Sequence, residues 1–306
     1  MKRTMASLLA ILVLINLCAC SEIANSPTPT HEDNTVTSTS QSESESDINN
    51  ICGVWINYDG FFHEYSDGDY LDYDKDQIVV LTVITEDGYL FTQNFGINFM
   101  LPDLTDWMTL CNNYNAASLL TLINNLYDES FDDIDEAYQD GSIYKYNIID
   151  SNTIISVDCD GDIYDIYQID AQGKLNDYWY IGPDDPIDLD IDSNYFYMSF
   201  EKCYYTSTLG YFVGNWNIHE ITHSGVRTKE LDYMYSLQDN LTYISSRSGS
   251  DTWSYMNCKL NLGGFEVTPF VLSGDKFIMI YGGIADLMGM GVDWYYNTCM
   301  IFERAD

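Results

Sequence analysis

The sequence predicts a mainly β protein built from two antiparallel β modules, the first of which carries a helical insertion. Short runs of β-branched and aromatic residues alternate with Gly and Asp turns, and the chain has 26 tyrosines, as is typical of antiparallel barrels or sandwiches. Two stretches of the chain also begin alike and end alike, which indicates two copies of one unit.

Residues 1–19 have the pattern of a signal peptide. Lys2 and Arg3 precede an apolar run from Met5 to Leu17, which is too short to span a bilayer but suits the core of a signal peptide. The run ends in Leu17-Cys18-Ala19-Cys20, which resembles the lipobox of bacterial lipoproteins. The resemblance implies cleavage before Cys20, thioether lipidation of that cysteine and acylation of the new amino terminus with a fatty acid such as palmitate. An ordinary secretory signal cleaved nearby is the alternative.

The predicted linker covers residues 20–50 and follows directly on the lipidated cysteine. It is rich in Ser, Thr, Pro and acidic residues and almost free of large apolar side chains, so it cannot bury enough surface to offset its chain entropy. A disordered chain of this length has a typical reach of about 30 Å. The sequence therefore predicts an exported protein, held by lipid on the cell membrane or cell surface, with its folded part away from the bilayer.

The net charge limits the classes of partner. Twelve basic residues against 48 acidic ones give −36, and so negative a surface repels nucleic acid and anionic lipid headgroups. We therefore expect no nucleic-acid partner, and contact with the membrane only through the N-terminal lipid.

Cysteine usage leaves the disulfide pattern open. Of the eight cysteines, Cys18 and Cys20 belong to the signal and the lipid site, so six are left in the folded part. An even number in an exported chain permits disulfides, but six cysteines allow fifteen pairings. The run around Cys258 has the alternation of a strand, which predicts a buried thiol there.

The two predicted modules cover residues 51–205 and 211–306. They open on Gly53–Trp55 and Gly214–Trp216, and they close on Met198–Lys202 and Met300–Arg304. The first module is longer, partly because helical periodicity predicts an insertion over 103–139. Strands are predicted at 77–85, 89–95, 143–149, 153–158, 163–169, 174–181 and 195–203, and then at 214–222, 240–246, 253–262, 265–272, 276–282 and 294–303.

A Gly-x-Trp on the first strand with a basic residue on the last strand resembles the lipocalin-like (calycin) barrels. In that family the basic side chain packs over the tryptophan at the closed end of the barrel. The resemblance implies structural pairs of Trp55 with Lys202 and of Trp216 with Arg304, each a cation–π contact. The chain departs from the family in its helical insertion, its short second unit and its use of lysine in the first pair.

The stretch His219-Glu220-Ile221-Thr222-His223 fits the H-E-x-x-H signature of zinc peptidases. That chemistry needs both histidines one turn apart on a helix, about 6 Å, whereas a strand separates them by about 13 Å. The neighbouring residues favour a strand, and Ser224-Gly225 would end any helix. We therefore expect a strand and no metal site, with a zinc metallohydrolase as the less favoured alternative.

Other acidic and aromatic motifs have plain structural interpretations. Asp158-Cys159-Asp160-Gly161-Asp162 has glycine at the fourth position rather than the sixth position of an EF-hand loop, so it predicts a hairpin turn. Asp67-Gly68-Asp69 and Asp184-Asp185 are weaker calcium candidates. The aromatic clusters 178–180 and 294–296 suit sheet packing, although they could also stack on sugars.

The sequence therefore predicts a lipid-anchored extracytoplasmic protein with a binding or interaction role. No catalytic residue set and no cofactor are predicted. The expected ligand is a small apolar molecule held by a barrel, and a glycan-binding surface module is the alternative.

Overall fold

The computed structural model describes the backbone of residues 50–58, 61–66, 69–74, 77–96, 104–127, 130–180, 195–224, 227–286 and 293–305. The predicted signal peptide and residues 20–49 of the predicted linker lie outside these residues, as do Asp67-Gly68 and Asp184-Asp185. None of the helices in the described part of the chain has the length and apolar composition of a membrane span. Both β modules belong to one compact unit that extends from Ser46 to Asp306.

The first module is an eight-stranded antiparallel barrel with an additional hairpin. Its strands are β1 (Gly53–Asn57), β2 (Phe61–Ser66), β3 (Asp69–Asp74), β4 (Gln77–Ile84), β5 (Tyr89–Gly96), β6 (Tyr144–Asp150), β7 (Thr153–Val157), β8 (Ile163–Ile169), β9 (Leu175–Tyr180) and β10 (Tyr195–Cys203). The barrel closes because β1 pairs with β4 on one side and with β10 on the other, where Trp55 is opposite Lys202. The hairpin of β2 and β3 extends the sheet beside β10.

The second module is a nine-stranded antiparallel sheet that nearly closes. Its strands are β11 (Gly214–Ser224), β12 (Arg227–Leu237), β13 (Thr242–Ser245), β14 (Gly249–Met256), β15 (Lys259–Leu262), β16 (Phe265–Val267), β17 (Pro269–Ser273), β18 (Lys276–Asp286) and β19 (Asp293–Arg304). The strand β11 is central and pairs along its length with β12 and β19. The expected fold class is therefore confirmed, including a barrel-like second module despite its shorter sequence.

Each barrel has its own apolar interior. In the first barrel the buried interior cluster includes Ile51 and Cys52, just before β1, and side chains from alternate strand residues: Trp55, Val80, Ile84, Leu90, Ile154, Tyr167, Leu175, Met198 and Phe200. In the second barrel an aromatic centre forms around Trp216, Phe277 and Phe302, and the last two rings stack with centroids 4.2 Å apart. The period-two alternation of the strands produces these interiors.

The helical insertion consists of α1 (Thr105–Leu110), α2 (Ala116–Tyr127) and α3 (Ile134–Gln139). The α2 helix begins where Asn115 Oδ1 accepts a hydrogen bond from Ser118 N, and α3 begins where Asp133 caps Glu136 N. The helices pack on the outer face of the first barrel, where the Trp107 ring stacks on Phe91 with centroids 5.8 Å apart. The insertion therefore covers an outer wall of the first barrel.

The second barrel packs against the same outer apolar cluster. Phe270, Leu272, Ile278 and Ile280 from β17 and β18 are buried together with outward side chains of β1 and β4 and with the helices. A backbone hydrogen bond of 2.7 Å from Tyr204 N to Val271 O also joins the two barrels. Strands of the first barrel that face this cluster are therefore buried on both faces, which explains the continuous apolar run of β4.

Three local expectations differ from the structure. The strand expected over 253–262 is two strands, β14 and β15, joined by Asn257 (φ 54°) and Cys258 (φ 60°). Positive φ at both central residues is what a type I′ hairpin turn requires, so Cys258 is a half-buried turn residue rather than a buried strand residue. The strand expected over 265–272 is likewise split before Pro269, and β12 and the β2–β3 hairpin were not expected.

Candidate functional site: the barrel interiors

The tryptophan end of the first barrel is closed by a basic side chain. Trp55 Nε1 donates a hydrogen bond of 2.8 Å to Ile51 O, and Lys202 Nζ lies 5.3 Å from the centroid of the Trp55 ring. Lys202 Nζ also donates to Asn50 O at 2.9 Å. Burial lowers the pKa of Lys202, because an ammonium group loses hydration there. The structure thus brings together the first pair of residues that the sequence singled out.

The second barrel repeats this arrangement. Trp216 Nε1 donates to Phe212 O at 2.8 Å, and the Arg304 guanidinium lies 4.2 Å from the Trp216 ring centroid. Arg304 also donates to Val213 O at 2.6 Å and to Tyr211 O at 2.5 Å. Because guanidinium has more donors than ammonium, this contact satisfies two carbonyls at once.

Glycine is required two positions before each tryptophan, both by the backbone angle and by the space that the basic side chain occupies. Gly53 has φ 142° and Gly214 has φ 141°, a region that side chains disfavour. A Cβ on Gly53 would lie 2.8 Å from Lys202 Cε, and a Cβ on Gly214 would overlap Arg304 Nη1. Both glycines therefore leave room for the basic side chain that crosses over them. These contacts and angles make the two modules equivalent at this end.

A polar network crosses the interior of the first barrel beyond Trp55. Thr82 Oγ1 and Thr92 Oγ1 are 2.9 Å apart, and Thr92 Oγ1 lies 3.5 Å from the hydroxyl of Tyr167. Tyr167 is directly opposite Asp177 in the pairing of β8 and β9. Asp165 precedes Tyr167 by two positions on β8, and burial, followed by the charges of Asp177 and Asp165, raises the pKa of Tyr167.

Asp177 is the unusual member of this network. The residue is only 4% exposed, and its Oδ1 has no hydrogen-bond partner among the described residues. Leu175, which precedes it by two positions on the same strand, belongs to the interior core, so Asp177 also faces inward. An unpaired buried carboxylate oxygen is costly, which marks this position as a candidate binding site.

The electrostatics of this acid pair are set chiefly by burial, to which repulsion from Asp165 adds at Asp177. Burial raises the pKa of Asp165 to about 7, against a weaker opposing effect of the nearby Tyr167 hydroxyl. Burial and the Asp165 charge raise the pKa of Asp177 well above its usual range. Among the described residues, no lysine or arginine contributes to the pKa of either carboxyl. A proton or a cationic group must therefore compensate this pair.

The second barrel has a different polar cluster. The buried Glu220 accepts hydrogen bonds from the Tyr233 hydroxyl at 2.5 Å and from Arg247 Nη1 at 2.6 Å. Arg247 belongs to the turn between β13 and β14, and its guanidinium lies 5.3 Å from the Tyr233 ring centroid. This carboxylate is paired within the fold, so it stabilises the second barrel without requiring a ligand.

The H-E-x-x-H stretch lies within β11, as expected from the sequence. Because side chains alternate along a strand, Glu220 faces the barrel interior and His219 faces outward. On the outer face His219 Nδ1 lies 2.7 Å from Asp232 Oδ1. His223 is four residues further along the strand, a rise of about 13 Å. The helical geometry that the zinc hypothesis required is absent from this segment. Within the described residues no cluster of three or more His, Cys, Asp or Glu has metal-binding geometry.

An open groove of about 640 Å³ runs along the outer face of the second barrel, beside His219, Asp232, Met234, Lys276 and Glu303. His219 and Asp232 pair with each other, and Lys276 lies 3.2 Å from Glu201 of the first barrel. The charged groups of the groove are thus largely engaged with other protein groups.

Two further sequence candidates have structural roles. Asp158 Oδ1 accepts hydrogen bonds from the backbone N–H groups of Asp160 and Asp162 at 3.0 and 2.9 Å, so this carboxylate shapes the hairpin turn between β7 and β8.

The six described cysteines are free thiols. Burial and the adjacent thiol of Cys111 raise the pKa of Cys203, which disfavours its reactive thiolate.

Sequence reasoning missed Asp165, Tyr167 and Asp177. A usable signal was present, because Leu175, Asp177 and Trp179 alternate with outward residues on one predicted strand. An aspartate on the apolar face of an interior strand is exceptional and predicts a buried carboxylate. The alternation within β9 could not identify Asp165 as the neighbouring acid, because Asp165 approaches Asp177 only through the pairing of β8 with β9.

Comparisons with known proteins add little to this geometry. No known protein family matches the sequence, and no curated protein is similar to it. Among solved structures, a protein of unknown function from the DUF3598 family of Nostoc punctiforme aligns with 87% of this chain and 100% of its own. The identity is 11% and the TM-score is 0.25, too low to carry an argument about fold or function. The sheet topology therefore defines this chain as a two-barrel β protein, and its acidic interior site distinguishes the first barrel from the second.

Proposed function

We propose that this protein is a non-catalytic binding protein of the cell envelope. It is exported by the signal peptide of residues 1–19, held on the membrane by lipid at Cys20, and it binds a small ligand inside the first barrel. Residues 20–50 serve as the tether between the lipid and the barrels.

The observation that supports this proposal most directly is the unpartnered Oδ1 of the buried Asp177. A buried polar atom without a partner costs about 1–3 kcal/mol, so a purely structural residue at this position would be expected to find one. A ligand that donates to this oxygen removes the penalty. The chain of Thr82, Thr92 and Tyr167 hydroxyls beside it offers the few polar groups that orient a ligand in a mainly apolar site.

The anchoring step is tested by metabolic labelling with palmitate, followed by cell fractionation. The wild-type protein should incorporate label and fractionate with membranes, whereas Cys20→Ala should carry no label and leave the membrane fraction. Cys18→Ala is the matched control, because it removes the neighbouring thiol and should behave like the wild type. Label that persists in Cys20→Ala would refute lipidation at that residue.

A glycan-binding surface module is the second candidate. It is supported by the rings of Tyr178 and Tyr197, which lie side by side across β9 and β10 with centroids 5.4 Å apart and an interplanar angle of 32°. Aromatic faces of this kind stack on sugar rings. Retention of the protein on an insoluble polysaccharide, lost in Tyr197→Ala but kept in Asp177→Asn, would favour this candidate over a barrel ligand.

A further inference from the structure

We propose that the first barrel binds a positively charged organic amine, with the ammonium group held between Asp165 and Asp177. This inference rests on the proposed binding function and adds the chemical class of the ligand.

The geometry supplies the acceptors that an ammonium group needs. Asp177 faces the interior with one oxygen unpartnered, and Tyr167, which is opposite Asp177 and two positions from Asp165, has its hydroxyl close enough to be affected by both charges. An ammonium group has three N–H donors and no acceptor. The two carboxylates and the hydroxyl of Tyr167 or Thr92 match those three donors.

Charge balance favours a cation over a neutral ligand. Two carboxylates that interact in a low-dielectric interior cannot both ionise unless a positive charge joins them. Burial holds both carboxyl pKa values above the usual range, the Asp165 charge raises that of Asp177 further, and no described lysine or arginine compensates either group. A ligand that brings its own positive charge replaces the proton and leaves both carboxylates paired.

An organic ammonium suits the surroundings better than a metal ion. Calcium takes six to eight oxygen ligands and magnesium demands a near-octahedral set, but among the described residues this site offers two carboxylates. Aromatic and apolar side chains form the adjacent wall, where Trp179 follows Asp177 by two positions on β9 and Met198 is opposite Asp177 on β10. Aromatic faces attract cations, and apolar groups accept the organic part of an amine.

The test compares benzylamine with benzyl alcohol, which has a similar shape without the charge, in calorimetric titrations of the intact protein at pH 8. Benzylamine should bind one site at least about ten-fold more tightly than benzyl alcohol, because only the amine makes charge-assisted hydrogen bonds. Asp177→Asn and, separately, Asp165→Asn should weaken benzylamine by about ten-fold or more and leave benzyl alcohol unchanged. Asp160→Asn removes an equal charge from an exposed turn and should change neither.

Four results would overturn the inference. They are equal affinities for the amine and the alcohol, no benzylamine binding up to millimolar concentration, undiminished benzylamine binding in both interior variants, and binding of calcium instead of benzylamine at a site that Asp177→Asn removes. Thermal melting of each variant verifies that it is folded. A neutral molecule that co-purifies with the wild type and is lost in Asp177→Asn, without benzylamine binding, would reject the amine and leave the binding function standing.

Discussion

The burial of Asp165 inside the first barrel makes the stability of the protein depend on pH. The pKa of Asp165 is raised to about 7 from an unfolded value of 3.8, chiefly by burial. Between these values the folded protein keeps a proton that the unfolded chain has lost, so the free energy of unfolding falls as the pH rises from about 4 to about 7. The facing phenols, Tyr167 and Tyr144, also have raised pKa values and stay neutral over this range.

We predict that Asp165→Asn abolishes this part of the pH dependence. Urea unfolding at pH 5 and pH 7.5 should show a smaller loss of stability with rising pH in Asp165→Asn than in the wild type. The exposed Asp160→Asn should reproduce the wild-type difference, because its effect is limited to the overall net charge. Parallel pH profiles for the wild type and Asp165→Asn would contradict the raised pKa.

The glycine under Arg304 gives a second prediction at the residue scale. Gly214→Ala should lower the free energy of unfolding by about 2 kcal/mol or more, because alanine is strained at φ 141° and its Cβ meets the guanidinium. Gly274→Ala is the matched control, since a Cβ there has no neighbour within 4 Å. Equal free energies of unfolding for the two variants would contradict close packing of the Arg304 guanidinium between Gly214 and the Trp216 ring.

At the scale of elements, strands with clear alternation and turn signals could be predicted, including β4, β8 and β19. The strand β12 was not predicted because it begins with the mainly charged run Arg227–Glu230, although Leu231, Tyr233, Tyr235 and Leu237 alternate after that run. The zinc-like motif was correctly expected to form a strand, because β-preferring neighbours and Ser224-Gly225 outweigh a five-residue signature.

The acidic site could not be predicted in the same way. Its members come from neighbouring strands and meet only after β8 pairs with β9, and a single sequence holds no record of that register. The two pairs of a tryptophan with a basic residue could be predicted from the sequence. Each is tied to a chain-order signature, a Gly-x-Trp on the first strand and a basic residue on the last, and barrel closure makes those two strands neighbours.

The helical insertion should contribute strongly to stability, since it covers a barrel wall that would otherwise be exposed. Trp107 is fully buried between α1 and β5, so Trp107→Ala should cost about 3–5 kcal/mol in urea unfolding. Ile149→Ala, at an exposed position of β6, should cost less than about 1 kcal/mol. A small cost at Trp107 would mean that the helices are only loosely attached.

At the scale of the whole molecule, the two barrels share one apolar cluster with the helices. Phe270 of the second barrel is fully buried in the same cluster as Val54 and Leu81 of the first. Barrels joined by so much buried apolar surface should unfold together, as one domain rather than two.

We therefore predict one cooperative transition in calorimetry of the intact protein, with equal calorimetric and van't Hoff enthalpies. Phe270→Ala should lower the temperature of this transition by several degrees without splitting it, because a core phenylalanine is worth about 3–5 kcal/mol. Two separate transitions in the wild type would contradict a shared core.

The most direct test of the central claim, that the first barrel holds a small ligand at Asp177, is native mass spectrometry of the intact protein purified from its own membranes. The wild type and Asp160→Asn should carry a small-molecule adduct in one-to-one ratio, and Asp177→Asn should have lost it. Bare masses for all three proteins, or an adduct that persists in Asp177→Asn, would contradict a ligand site in the first barrel.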